Sequence, residues 1–295
     1  METFAFSKTM NKLIRSSLFV MSAFVAGGLA LGAPRAGAQS ASSPGADRIT
    51  VKLDDPSRPA LVKASLINGG ITVKGYDGKE VIVEARTRNE ESDRSSSNGL
   101  KRLNIARTGL TVEEENNQVH IGTDSHMRTI DLMISVPIHT SLVLRALNDG
   151  DVMVTDVDGE IDVDNTNGAV TLKNVSGSVV AHALNGHVRV TFVKVNPQKA
   201  MAFSSLNGDI DVTFPADLKA NLRIRSDQGD VFSDFDVQLQ TAAPQQTVED
   251  GRGKGGKYRV RIDKSVLGTI NGGGQEITFT NLQGGIYIRK AGSPR

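Results

Sequence analysis

The sequence contains no cysteine and no tryptophan, and only 4% of its residues are aromatic. Without cysteine the chain has no disulfide, no thiolate metal ligand, no cysteine nucleophile and no lipid-accepting cysteine of the kind that bacterial lipoproteins carry. So few rings leave little surface for stacking on sugars or bases. A formal net charge of +1 provides no overall field that would attract nucleic acid or an anionic membrane. The sequence therefore predicts no nucleic-acid partner and no cofactor.

The first residues of the chain differ in composition from the rest. Three basic residues precede an apolar run over residues 18–33, and the small residues Ala36 and Ala38 fit an A-x-A cleavage site. This pattern predicts a secretory signal peptide over residues 1–38. The apolar run is short for a membrane span of about 20 residues, so we expect no integral span in the mature chain; an uncleaved anchor is the alternative. Residues 39–46 are small and mostly polar, which predicts a disordered mature N-terminus.

A glycine returns every nine residues in the middle of the chain. The glycines of this series are Gly150, Gly159, Gly168, Gly177 and Gly186. Asp, Asn or Ser precedes each of them, and such a pair turns the chain tightly. Apolar residues follow two, four and usually seven positions later, which predicts a strand with one buried face after each turn. The apolar seventh-position residues are Val157, Val175, Leu184 and Val193. From Gly159 onward Asn-Gly turns alternate with Asp-Gly or Ser-Gly turns, so the repeating unit is a coil of eighteen residues.

Equal coils favour a stacked architecture over a folded sandwich. Stacking at a strand spacing of about 4.8 Å pairs the backbone of each coil with its neighbours and buries one continuous apolar column. The predicted fold class is all-β, a single-stranded β-solenoid similar to a β-helix, with coils of about 18–22 residues. Asn167, Asn185 and Asn207 are then expected to superpose and form a hydrogen-bonded amide ladder. An immunoglobulin-like sandwich is the alternative, but its turns are irregular rather than marked by glycines at a fixed period.

The β-rich chain after the signal peptide has two predicted parts. Residues 47–136 form an N-terminal group of strands, and residues 137–290 form the regular solenoid repeats. Residues 89–98 are charged and rich in serine, which predicts an exposed loop. Residues 242–257 combine glycine, proline and charged residues, which predicts a flexible loop within the repeats.

Several short motifs recur in a characteristic order along this chain. They are Asn68-Gly69-Gly70-Ile71-Thr72-Val73, the strand from Ile130 to Pro137, the Leu-Asn-Gly units that begin at residues 184 and 206, and Ile270-Asn271-Gly272-Gly273-Gly274. In their number and order they resemble a family of exported bacterial β-strand-repeat proteins, candidate adhesins of the domain-of-unknown-function 4097 type. The resemblance covers about residues 60–290. It implies a single-stranded β-solenoid in the cell envelope or outside the cell, and it brings no established catalytic residue.

Calcium-binding β-rolls also have nine-residue glycine periods, and their calcium ligands occupy fixed positions in each repeat. In the calcium-binding repeat an aspartate and glycine-turn carbonyls ligate the ion. The residues five positions after the glycines are Thr155, Asp164, Lys173, His182 and Thr191, of which one is a carboxylate. No Gly-Gly-x-Gly precedes it. Asp149, Asp151, Asp156, Asp158, Asp162 and Asp164 concentrate acid on the early coils, which we interpret as a solvated face and turns. No metal site is predicted.

Polysaccharide lyases and hydrolases also use β-helices, in which pairs of carboxylates in a groove carry the chemistry. Asp209 and Asp211, or Asp162 and Asp164, lie two residues apart on one strand and would point the same way, but any outward strand face offers that spacing. The histidines are His120, His126, His139, His182 and His187, and their spacing fits no paired metal or catalytic arrangement. The sequence therefore assigns no catalytic, cofactor-binding or metal-binding residue.

Together these patterns predict an exported, non-catalytic β-solenoid that acts as an adhesin-like interaction module. The expected location is the periplasm, the cell surface or the exterior, and the expected partner is a protein or glycan of the cell envelope, contacted through outward strand residues and the loops 89–98 and 242–257. The sequence sets no oligomeric state. A carbohydrate-active β-helix enzyme, either a polysaccharide lyase or a hydrolase, is the alternative.

Overall fold

The computed structural model describes residues 46–88, 108–124, 128–240, 246–250, 258–262 and 265–293. The signal peptide predicted at residues 1–38, the residues 39–45 of the predicted disordered terminus and the predicted loop 89–98 lie outside these ranges. The secondary structure of the described residues consists of β-strands, as the predicted all-β class requires. Within the described ranges no helix is long and apolar enough to span a membrane.

The strands are numbered in chain order. They are β1 (Ala46–Lys52), β2 (Ala60–Asn68), β3 (Ile71–Tyr76), β4 (Glu80–Thr87), β5 (Leu110–Glu115), β6 (Gln118–Thr123), β7 (Ile130–Pro137), β8 (Thr140–Asn148), β9 (Val152–Thr155), β10 (Asp158–Asn167), β11 (Val170–Asn185), β12 (Val188–Val195), β13 (Met201–Asn207), β14 (Ile210–Phe214), β15 (Ala220–Gln228), β16 (Val231–Ser233), β17 (Val237–Gln240), β18 (Gln246–Asp250), β19 (Tyr258–Ile262), β20 (Val266–Ile270), β21 (Gln275–Gln283) and β22 (Ile286–Lys290).

Most of these strands stack in two parallel ladders, which form the two faces of one solenoid. The first ladder runs β6–β2–β8–β10–β11–β13–β21–β15. The second runs β7–β3–β9–β11–β12–β14–β22–β16. Each coil gives one strand to each ladder, and the long strand β11 passes from the second ladder to the first. The predicted solenoid is therefore confirmed.

The eighteen-residue register holds in the central coils. Asp158 lies opposite Ser176 and Asn167 opposite Asn185, each pair one coil apart. One part of the predicted inward pattern is wrong. Val193 was expected on the buried face but is 63% exposed, while its neighbour Phe192 is 4% exposed. Leu184 was expected there too but is only partly buried, while its neighbour Ala183 is fully buried. The register between β11 and β12 shifts after Leu172 and again after Val175, and this irregularity exchanges the inward and outward positions.

The core lies between the two ladders and is built from alternate residues of each strand. Its composition changes along the stack: the first coils are filled with Val, Ile, Leu and Ala, and later coils carry a cluster of phenylalanine rings. Phe203 is at the centre of that cluster, with ring centroids 5.3 Å from Phe279 and about 6 Å from Phe192 and Phe214. Phe192 and Phe214 stack on each other at 5.2 Å. Four rings from three successive coils thus interlock across the column.

The asparagine ladder predicted for the turns is present and longer than expected. Asn207 donates from Nδ2 to Oδ1 of Asn185 at 2.7 Å, and Asn185 donates to Asn167 at 2.8 Å. Asn167 donates in turn to Asn148 at 2.9 Å, and Asn148 to Asn68 at 3.3 Å. One amide per coil therefore runs along five successive coils and ties the turns together.

Close stacking explains the glycine period better than turn geometry alone. The backbone φ angle of Gly177 is +105°, a left-handed value that favours glycine. Gly186 does not need such an angle, yet a Cβ atom there would lie 2.1 Å from the carbonyl oxygen of Gly168 in the preceding coil. A side chain at this position would force the coils apart, so the spacing between coils itself requires glycine.

The order of coils in the stack differs from their order in the sequence at both ends. The coil β2–β3 lies between β6–β7 and β8–β9, although it precedes both in sequence. The coil β21–β22 lies between β13–β14 and β15–β16, although it follows both. We call β2–β3 and β21–β22 the exchanged coils. Each is held between two neighbours, so the first and last coils of the sequence are interior coils of the stack.

Antiparallel strands cover three of the four ladder ends. β5 pairs with β6, β4 pairs with β7 and in turn with β1, and β20 pairs with β15 and with β17. β18 and β19 form a separate antiparallel pair. β18 occupies residues Gln246–Asp250 within the segment 242–257 that was predicted as a flexible loop. The remaining residues of that segment lie outside the described ranges.

Candidate binding groove on the outer face

A groove of about 630 Å³ runs across the outer face of the first ladder, perpendicular to the strands. Its floor is formed by residues of β6, β2, β8, β10 and β11, and the segment before β13 borders it. The lining residues are Arg58, Pro59, Ala60, Leu61, Asn116, Asn117, Gln118, Ser141, Leu142, Val143, Glu160, Ile161, Asp162, Ser178, Val180, Lys199 and Ala200. We call this feature the axial groove. Because it crosses successive coils, it offers a repeated set of side chains to an extended molecule.

One end of the axial groove is held in place by a buried amide. Asn117, in the turn between β5 and β6, is 4% exposed. Its Oδ1 accepts the backbone N–H of Asp55 at 2.8 Å, and its Nδ2 donates to the carbonyl oxygen of Asp55 at 2.6 Å. These bonds attach the segment before β2, which carries Arg58, to the β5–β6 turn. The groove wall is thus fixed by hydrogen bonds rather than formed by a free loop.

The same segment is stabilised by a turn around Asp55. Ser57 donates to Oδ1 of Asp55 from its backbone N–H at 3.0 Å and from its hydroxyl at 2.6 Å, and Arg58 Nε donates to Oδ2 at 3.0 Å. The bonds from Ser57, followed by the bond from Arg58, hold the pKa of the Asp55 carboxyl below its ordinary value. The guanidinium of Arg58 is thereby positioned at the mouth of the groove.

The acidic residues on the groove floor are both in ion pairs. Glu160 Oε1 lies 3.0 Å from Lys199 Nζ, a contact between β10 and the segment that precedes β13. Asp162 binds Arg145 of the neighbouring coil through two contacts, at 2.7 and 3.1 Å. The hydrogen bonds that Arg145 donates to Asp162 raise the pKa of the Arg145 guanidinium. The floor therefore presents alternating charges and hydroxyl groups, a surface suited to hydrogen bonding with a polar polymer.

The other carboxylates considered from the sequence have structural contacts. Asp209 Oδ1 accepts the backbone N–H of Gly285 at 2.8 Å, so it joins the β14 coil to the last coil of the sequence. Asp211 accepts a hydrogen bond from Arg289 Nε at 2.8 Å. Asp164 lies on β10 outside the set of groove-lining residues. The structure therefore does not bring Asp209 and Asp211 into the axial groove with Asp162.

The described histidines are dispersed over the solenoid. His182 Nδ1 lies 2.6 Å from Ser204 Oγ, and His139 Nδ1 lies 3.2 Å from Asp158 Oδ2. His187 accepts the backbone N–H of Asp209 at Nδ1, at 2.9 Å, which helps to hold adjacent coils together. His126 lies outside the described residues. Across the described ranges, no group of three or more His, Asp or Glu side chains is placed to hold a metal ion.

An exposed pair of aromatic rings was not identified from the sequence. Phe232 of β16 and Tyr287 of β22 stack with centroids 5.2 Å apart and an interplanar angle of 10°. The guanidinium of Arg289 lies over the Tyr287 ring at 5.2 Å. These residues are far apart in the sequence and meet because the β21–β22 coil inserts beside β16. Tyr287 lies between the inward residues Ile286 and Ile288, so the sequence could have placed its ring on the outer face but could not have paired it with Phe232.

A known family model matches part of the repeat region. Residues 145–271 match Toastrack DUF4097. This confirms the resemblance predicted from the sequence motifs. The Toastrack match begins near the end of β8 and stops after β20, so it leaves out the exchanged coil β21–β22 that the structure places inside the stack.

Two solved structures resemble the chain over most of its length. One is described as a "putative cell adhesion protein" from Clostridium sporogenes, with 10% sequence identity, a TM-score of 0.39, and coverage of 83% of this chain and 99% of that chain. The other is described as a "putative adhesin" from Bacteroides fragilis, with 12% identity, a TM-score of 0.30, and coverage of 84% and 98%. None of the curated proteins matches the chain. The solenoid assignment rests on the strand ladders of this chain itself.

Proposed function

We propose that this protein is an exported, non-catalytic binding module of the cell envelope or cell exterior, which holds a polar protein or glycan segment in the axial groove. The observation that carries the proposal is the groove itself, which crosses five strands of the first ladder with paired charges and hydroxyls on its floor. Its shape fits an extended polymer, and its polar lining provides donors and acceptors that repeat from coil to coil.

The ion pairs on the groove floor favour binding over catalysis. A glycosidase of the common type needs one carboxyl group that holds a proton near the scissile bond and a second carboxylate beside it. Glu160 and Asp162 lie two residues apart on β10, but each contacts a cation, Lys199 and Arg145 respectively. A carbohydrate-active enzyme remains the second candidate, because these two carboxylates do lie in a groove that could hold a glycan chain.

Filling the groove is expected to abolish binding without affecting the fold. Val180 on the groove floor is 45% exposed, so Val180→Arg can be accommodated outward while its side chain occupies the groove. Val193→Arg is the matched control, since Val193 is exposed on β12 and does not line the groove. We expect at least about tenfold weaker retention of Val180→Arg on purified envelope glycans or envelope proteins, with unchanged retention of Val193→Arg.

Both variants should have the melting temperature of the parent protein. A loss of retention can then be attributed to the groove rather than to unfolding. Equal retention of the two variants would rule out the axial groove as the binding site. Release of new reducing ends from a polysaccharide, lost in Glu160→Gln or Asp162→Asn, would establish the enzyme instead.

Export is expected to be accompanied by cleavage of the signal peptide after Ala38. Ala36 and Ala38 supply the small residues that signal peptidase sites require, and the basic and apolar segments precede them in the usual order. N-terminal sequencing of the protein recovered outside the cytoplasm should begin at Gln39. Recovery of an exported product that still begins at Met1 or Met10 would contradict the cleavage site.

A further inference from the structure

The second ladder has one uncovered end, at β16. β16 pairs with β22 on one side, and no other strand of the described chain pairs with its second side. The remaining ladder ends are covered by β5, β4 and β20. The three residues of β16, Val231, Phe232 and Ser233, are all exposed, although Val231 occupies a position that is buried in the other coils.

The backbone groups on the outer edge of β16 are available to a further strand. Ile286 donates its N–H to the carbonyl oxygen of Asp230, and Asp234 donates its N–H to that of Ile288, both at 2.9 Å. Alternate residues of a strand direct their backbone groups to opposite neighbours, so the N–H and C=O groups of Val231 and Ser233 point away from β22. Such an edge is the surface to which an extended peptide adds as a new strand.

A second repeated feature also stops at β16. Three aspartates at the beginnings of second-ladder strands accept a backbone N–H from the next coil toward β16. Asp131 accepts that of Gly70 at 3.0 Å, and Asp151 accepts that of Ala169 at 2.8 Å. The carboxylate of Asp209 accepts the N–H of Gly285 at 2.8 Å. Asp230 occupies the same position in the last coil, opposite Gly285, and no described coil follows it. Its carboxylate is placed to accept an N–H from one more strand.

The side chains along this edge define the chemistry of the missing strand. Asp230, Phe232 and Asp234 alternate along the edge and so face the same way. Phe232 is 51% exposed and is supported on one side by the Tyr287 ring. Asp230 and Asp234 are both exposed. Oδ2 of Asp234 accepts the backbone N–H of Lys290 at 3.2 Å, and its charge also attracts Arg289 of β22, but the carboxylate stays open to solvent. An acid, an aromatic ring and an acid therefore call for a base, an apolar residue and a base on the neighbouring strand.

We propose that β16 binds an extended, positively charged segment of a partner protein, which adds to the second ladder with the pattern base-x-apolar-x-base. Charge disfavours a second copy of this chain, because pairing of two β16 strands around a two-fold axis would set Asp230 opposite Asp234 of the other copy. This site lies on the second ladder and does not involve the axial groove, so it adds a second binding surface to the proposed function.

A synthetic peptide with the sequence Thr-Lys-Thr-Val-Thr-Lys-Thr, labelled for fluorescence anisotropy, tests the proposal. Two further peptides carry backbone N-methyl groups. In one the valine and both lysines are methylated, and in the other every threonine except the first is methylated. In a bound strand only one of these sets faces β16. We expect one methylated peptide to bind at least about tenfold more weakly than the parent and the other to bind about equally. Parallel addition, in line with the carboxylate of Asp230, predicts the loss for the valine and lysine set.

Protein variants separate this site from general charge attraction. The double variant Asp230→Asn with Asp234→Asn should bind the peptide at least about fivefold more weakly. Asp54→Asn with Asp77→Asn is the control, since both are exposed acids beside the β2–β3 coil, several coils away from β16, and should bind as the parent does. Val180→Arg in the groove should also bind the peptide normally. Equal behaviour of the two methylated peptides, no binding of any peptide at millimolar concentration, or binding of glycans alone through Phe232 would overturn the proposal.

Discussion

A chain that ends at Gly274 is expected to lose cooperative folding, because it lacks the exchanged coil β21–β22. That coil contributes four core side chains, Ile277, Phe279, Ile286 and Ile288, each at most 1% exposed. Burial of four such side chains contributes about 6–12 kcal/mol, which is comparable to the whole stability of a typical domain. The loss also opens the ladders between β13 and β15 and between β14 and β16. Removal of the last coil from a solenoid stacked in sequence order would expose one new strand edge on each face. Removal of β21–β22 exposes two on each face, because this coil lies between two others.

Circular dichroism with thermal melting measures the effect, and a chain that ends at Ala291 is the control. The control keeps both strands of the exchanged coil and the hydrogen bond from Ala291 to Phe214, so it should melt close to the full chain. If the chain ending at Gly274 melted cooperatively within a few degrees of the control, β15 would have to pair directly with β13, and the inserted position of β21 would be wrong.

Leu172→Asp is expected to destabilise the protein by more than about 4 kcal/mol, since it places a carboxylate in the centre of the core without a partner. Leu172 is fully buried and lies between Val154 and Val190 of the adjacent coils. Neither neighbour can donate a hydrogen bond from its side chain. The large effect follows from the desolvation of the charge together with the loss of the apolar contacts.

Thr171→Asp is the matched control one residue away. Thr171 faces outward on the same strand and lies opposite Arg189 of the next coil, so a carboxylate there gains a cationic neighbour. We expect a change of less than about 1 kcal/mol in the free energy of unfolding, measured by urea denaturation. Similar losses for the two variants would contradict the inward position of Leu172 and the outward position of Thr171.

The local pattern of the sequence predicted the parts of the fold that repeat. The nine-residue glycines and the alternating apolar residues identified the coils, and the spacing of Asn167, Asn185 and Asn207 predicted their amide ladder, which the structure confirms. These features could be predicted because each depends on residues one coil apart. Leu184 and Val193 are exceptions, and at Val193 shifts of register between β11 and β12 place Phe192 in the core instead. Val193 and Phe192 are both apolar, so hydropathy could not distinguish them.

The position of the exchanged coils could not be read from the repeat. Asn207, Gln228 and Gln283 each end a first-ladder strand, and the motif around them is similar. Any of the three coils could therefore stack on another by local criteria alone. The order is decided by longer-range features, such as the carboxylate of Asp209, which accepts the N–H of Gly285. The antiparallel strand β20 also occupies the far side of β15.

The candidate sites are invisible in the sequence for the same reason. The axial groove depends on the placement of Arg58 and Lys199 at its borders, which belong to segments between strands. The stacked pair of Phe232 and Tyr287 depends on the insertion of β22 beside β16. The sequence predicted a recognition surface of outward strand residues in general, but it could not show which of them come together.

The exchanged coils also determine where such a protein can change in length over evolution. From β8 to β14 the coils stack in sequence order, and Gly186 packs on Gly168 as Gly177 packs on Gly159. Duplication of one eighteen-residue unit in this stretch would present the same glycine and asparagine contacts to both neighbours. At either end a duplicated coil would have to enter a space already closed on both sides. Lengthening of the solenoid is therefore restricted to its interior, while the exchanged coils keep the two ends of the stack unchanged.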